Sequence, residues 1–101
     1  MASTLVCTML LSRGAEAVYA WEDGDGAVGY VLIDAEEEIA RPCTRQGRAL
    51  GDTVLRKHVG NVEEPDPDPV KRRSFLVAAS VIFQEWQRQG RLPQRISRTY
   101  W

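Results

Sequence analysis

Three sets of residues have types and spacing that could do chemistry. The stretch GDGAVG, residues 24–29, matches the glycine fingerprint G-x-G-x-x-G with which dinucleotide-binding folds hold a pyrophosphate. Cys43 and His58 offer a thiol and an imidazole, the ingredients of an activated nucleophile. The acids of residues 22–38 offer carboxylates for a cation or for general acid–base work.

The fingerprint works only where a helix begins at its third glycine, because the helix supplies free N–H groups and a dipole to the phosphate. Here Gly29 is followed by Tyr30-Val31-Leu32-Ile33, aromatic and β-branched residues at the density of a strand. The segment therefore reads as a hairpin with Asp23-Gly24-Asp25-Gly26 at its turn, where glycine tolerates positive φ and aspartate bonds its own backbone. A calcium loop starting at Asp23 fails too. That pattern needs Gly at its sixth position and Glu at its twelfth, where this chain has Val28 and Asp34.

The single histidine, His58, cannot build a zinc site alone, and Cys7 and Cys43 form no C-x-x-C pair. As a nucleophile and base, Cys43 and His58 lack an identifiable third group to orient them. The carboxylates cluster in expected turns, where solvated charge normally resides. The sequence thus assigns no catalytic residue, no cofactor-binding residue and no metal ligand, and calls for no cofactor.

Charge is more informative than chemistry. The chain carries a formal net charge of −1, yet residues 14–40 hold eight acids and no base (Glu16, Glu22, Asp23, Asp25, Asp34, Glu36, Glu37 and Glu38). Residues 86–101 reverse this, with Arg88, Arg91, Arg95 and Arg98 and no acid. Such a layout serves either internal pairing or two surfaces for oppositely charged partners. Lys71-Arg72-Arg73, at the start of an expected helix, opposes the helix dipole and is expected to meet acids of the preceding linker.

The elements that must position these residues are those of one domain spanning all 101 residues. Residues 4–12 alternate as a strand with Leu5, Cys7, Met9 and Leu11 on one side; residues 17–21 and 28–34 make two more, and residues 39–43 a short fourth one whose Pro42 suits a sheet edge. Residues 49–59 place Leu50, Val54, Leu55 and Val59 at helical spacing with Gly60 as a stop, predicting a short helix. Residues 61–69 form an acidic connector with Pro65, Pro67 and Pro69. Residues 70–89 form a long amphipathic helix with Phe75, Leu76, Ala79, Ile82, Phe83 and Trp86 on one broad stripe. Residues 90–101 form a basic tail ending in Tyr100 and Trp101, expected to dock along the sheet or helix.

The expected fold is α+β: an N-terminal antiparallel β-meander of three or four strands packed against the long C-terminal helix, with the shorter helix between. No run is long and apolar enough to span a bilayer. The apolar start has no base before it and does not read as a secretory signal. With two separate cysteines, a reducing, bacterial-type cytoplasm is the expected compartment.

For function, the expectation is a non-enzymatic protein-binding module, in concrete form an inhibitor or immunity-type protein. It would mask a basic partner with Asp23, Asp25, Glu36, Glu37 and Glu38. The alternatives are a nucleic-acid binder or regulator using Arg91, Arg95, Arg98 and Trp101, and a small enzyme centred on Cys43 and His58. A homodimer through the wide apolar face of the residue 75–86 helix is compatible with each.

Overall fold

A computed structural model describes residues 3–57, 62–63 and 68–100. The fold is α+β: seven strands form one antiparallel sheet, and one long helix covers one of its faces. The strands are β1 (Ser3–Arg13), β2 (Glu16–Asp23), β3 (Val28–Asp34), β4 (Ile39–Pro42), β5 (Val54–Arg56), β6 (Val62–Glu63) and β7 (Arg95–Tyr100), and the helix α1 is Pro69–Gln89. Across the sheet the order is β6-β5-β4-β3-β2-β1-β7, so the last strand closes back beside the first.

Register sorts the side chains. Cys7 lies opposite Trp21 in β2 and opposite Ile96 in β7, and Trp21 lies opposite Gly29. Directly paired residues share a face. That face, with Leu5, Tyr19, Val31, Ile33, Ala40 and Leu55, meets Phe75, Ala78, Ala79, Ile82 and Phe83 of α1 in a single core. α1 ends at Gly90, whose φ of 75° and N–H bond to Trp86 O close the last turn, and Arg88 sits favourably at the carbonyl end.

The opposite face carries no helix among the described residues. Part of it is covered by residues 43–50, which fold back as a small hairpin through a bridge between Cys43 and Ala49. Gly47, at φ 90°, rests against Val18, where an added Cβ would lie 3.0 Å from Cγ2. The cover explains why Val18 and Cys43 are buried although neither belongs to the core beneath the helix.

Several expectations are corrected. The short helix over residues 49–59 does not form: Gly51 takes φ 69° in a turn, and Val54 and Leu55 enter β5. Val54 and Leu55, successive strand residues that face opposite sides of the sheet, are both buried, whereas Leu50, outside any strand, is 52% exposed. His58, Val59 and Gly60 lie outside the described residues. The meander has more strands than three or four because β5, β6 and β7 extend it on both sides. β6 begins inside the acidic connector, of which residues 64–67 lie outside the described residues.

Strand β4 is interior, not an edge. Its partner β5 pairs only with Ile39 and Ala40, so Pro42 lies past the end of that ladder and its missing N–H costs no bond there. In β1 the alternation breaks between Met9 and Leu11, where the register shifts. Leu10 is the extra residue, and Leu11 moves to the helix-free face opposite Val18. The basic tail is docked, as β7, through Ile96 in the core.

Candidate functional site

Each glycine of the GDGAVG stretch has a local structural role. Gly24 sits against the start of β1, where an added Cβ would lie 3.3 Å from Thr4 N. Gly26 takes φ 88° in the β2–β3 turn. Gly29 lies under the indole of Trp21, which a Cβ would approach to 2.4 Å. The third glycine is thus the floor of an aromatic contact inside a strand, and no helix follows it.

The β2–β3 turn is an acidic tip with a fixed shape. Asp23 Oδ1 accepts the N–H of Asp25 at 2.9 Å and of Ala27 at 3.0 Å, while Asp23 N–H donates to Ala27 O. One acid therefore organises the loop, and its neighbours Glu22 and Asp25 are left exposed. Glu22 pairs with Val28, which is 56% exposed, so an apolar side chain stands directly beside the acids. Glu22 and Val28 were not singled out from sequence as contact residues. The hairpin register, which places them side by side, is the signal that finds them.

The second acidic group occupies the opposite end of the sheet. Asp34 Oδ1 accepts the N–H groups of Glu36 and Glu37, shaping the β3–β4 turn. Glu38, at φ 57°, pairs with Lys57 at 3.2 Å, and Lys57 Nζ lies 3.9 Å from the Trp86 ring centroid. Glu38 thus fastens the turn to α1. Because β3 runs the length of the sheet between the two turns, Asp23 and Asp25 stand about 20 Å from Glu36 to Glu38. The two acidic groups do not form one surface.

Near the second turn, a polar groove of about 320 Å³ on the helix-free face mixes Glu16, Asp34 and Glu37 with Arg41 and Arg56. Its charges are of both signs, and Asp34 already holds the turn.

The basic residues are also divided. Arg98 Nη2 donates to Glu85 Oε1 at 2.6 Å, and Glu85 takes further bonds from Arg88 and Gln89. These donors hold the Glu85 carboxyl down at about 2, well below its ordinary value of 4.5. Arg98 is therefore part of a clasp between β7 and α1. Arg91 and Arg95 are exposed and make no ion pair among the described residues. Trp101 lies outside the described residues.

The thiols sit in unreactive settings. Burial pushes Cys7 up to about 12 and Cys43 up to about 11, so neither is a thiolate near neutral pH. The register puts Cys43 opposite Tyr30, on the face away from Cys7 and three strands removed, roughly 14 Å. That separation is incompatible with a disulfide. His58 lies outside the described residues. No group of three or more His, Cys, Asp or Glu side chains is placed to hold a metal ion among the described residues.

The stripe from Phe75 to Trp86 is committed within one chain: Phe75, Ala79, Ile82 and Phe83 are buried against the sheet, and Trp86 packs beside them. Its apolar width reflects the breadth of the sheet it covers. No helix among the described residues is long and apolar enough to cross a membrane. Comparison with family models, curated proteins and solved structures finds no match.

Proposed function

We propose that the protein is a small non-enzymatic binding module that engages a basic partner protein through the acidic β2–β3 tip. The observation carrying this reading is the tip's preorganisation. Asp23 fixes the loop from within, so Glu22 and Asp25 project from a frame that needs no ordering on binding. Exposed Val28 beside them supplies apolar contact area. Acids on a rigid tip speed encounter with a basic surface, and an adjacent apolar side chain slows departure. Glu36 and Glu37, at the far end of the sheet, would contact only a partner that wraps its length. An inhibitor or immunity-type role in a cytoplasm is the specific form of this reading.

The test compares capture by the wild-type chain and by a Glu22→Lys/Asp25→Lys variant, neither position being in the core. A stoichiometric basic protein retained by wild type at low salt, and lost both at high salt and with the variant, is the expected result. Equal retention by the two proteins would remove the tip as the contact surface.

A further inference from the structure

The outer flank of β7 is unpaired among the described residues, since β7 ends the sheet order beside β1. Its outward groups can be assigned. Met9 N–H donates to Gln94 O at 2.8 Å, and Thr8 lies opposite Arg95. Bonded and non-bonded pairs alternate along an antiparallel ladder. Gln94, Ile96 and Arg98 therefore turn their backbone groups toward β1, whereas Arg95, Ser97 and Thr99 turn theirs outward.

Exposed edges are commonly blunted by shortness, a proline, a bulge or charged side chains. β7 has six residues, none a proline, and its pairing with β1 runs without a register shift. It is also held firmly. The buried Tyr19 hydroxyl donates to Pro93 O at 2.6 Å, Ile96 is in the core, and Glu85 clasps Arg98. Two exposed arginines remain here, Arg95 on the strand and Arg91 in the connection between α1 and β7. They disfavour the same strand of a second copy and favour a strand of opposite charge.

The geometry points to the free edge of β7 as a strand-addition site for an acidic, extended segment of a partner protein. Backbone groups of Arg95, Ser97 and Thr99 bond the added strand, and Arg91 and Arg95 select acidic side chains on it. This site is independent of the acidic tip.

The probe is an acetylated and amidated peptide, Glu-Val-Glu-Thr-Glu-Val, titrated into the full-length protein and followed by backbone amide shifts. Shifts concentrated at residues 95–99, with binding that weakens as salt rises, are expected. Ser97→Pro removes an outward N–H at a position where an edge strand accepts proline, and should weaken binding at least tenfold. Arg91→Glu/Arg95→Glu, which touches only exposed side chains, should do the same, so the site stays testable if the proline variant fails to fold. Unchanged binding by the charge-reversed variant would overturn the proposal. So would an absence of peptide binding, preferential binding of the Lys-for-Glu peptide or of a single-stranded oligonucleotide, or self-association of the free protein through β7.

Discussion

Glu85 shows how one residue can decide the fate of an element. It is buried, yet it is ionised because Arg88, Gln89 and Arg98 all donate to it, and without it Arg98 would lose its tie to α1. Its folded value is depressed to about 2 from 4.5, so its contribution to stability is present above 4.5 and is lost as pH falls from there toward 2. Glu85→Gln should therefore lower the urea midpoint at pH 7, and the gap from wild type should close as unfolding is repeated between pH 4.5 and pH 2. A gap that stayed constant with pH would mean the carboxylate charge is not what holds the clasp. Gly29 gives a second test at this scale. Gly29→Ala forces its Cβ into the Trp21 ring and should cost about 1–3 kcal/mol of stability, much of it recovered in a Trp21→Phe background. Urea unfolding followed by far-ultraviolet circular dichroism measures the coupling in a double-mutant cycle.

Among elements, β7 is anchored where it enters the sheet. Tyr19→Phe leaves Pro93 O without its buried donor and should cost about 1–3 kcal/mol. It should also speed amide hydrogen exchange at Ile96 and Arg98 more than in β2 and β3. β2, β3 and α1 were legible in the sequence because each carries its own periodic signal: Tyr19 and Trp21 two apart, Tyr30-Val31-Leu32-Ile33 at strand density, and Phe75 to Trp86 at helical spacing. β5 was not legible, because Leu50, Val54 and Leu55 fit a helix as well as a loop followed by a strand. The structure decides through Gly51 in positive φ and through pairing with β4. Among its described side chains β7 has one in the core, Ile96, and its partner β1 lies at the other end of the chain, so no local pattern could announce the pair. The Leu10 bulge was equally hidden, since apolar residues on both sides of β1 make either register look satisfactory. For the candidate site, the acids were visible as a composition bias. Their separation onto two ends of the sheet was not, because it depends on how long β3 is and on which turn closes each end.

For the whole molecule, the sheet converts a sequence with acids in front and arginines behind into three distinct surfaces. The β2–β3 tip is acidic, the β3–β4 turn is acidic but partly tied to Lys57, and the β7 edge is basic. Their separation keeps surfaces of opposite sign apart in a chain of net charge −1, as the two proposed contacts require. The same layout makes the binding reading specific, because a contact on one surface leaves the other two unprotected. Amide hydrogen exchange of the salt-sensitive complex, read peptide by peptide against the free chain, is the most direct test. Binding through the acidic tip predicts added protection at residues 22–28 and none at residues 36–38. Protection confined to residues 36–38, or to residues 91–99, would contradict it.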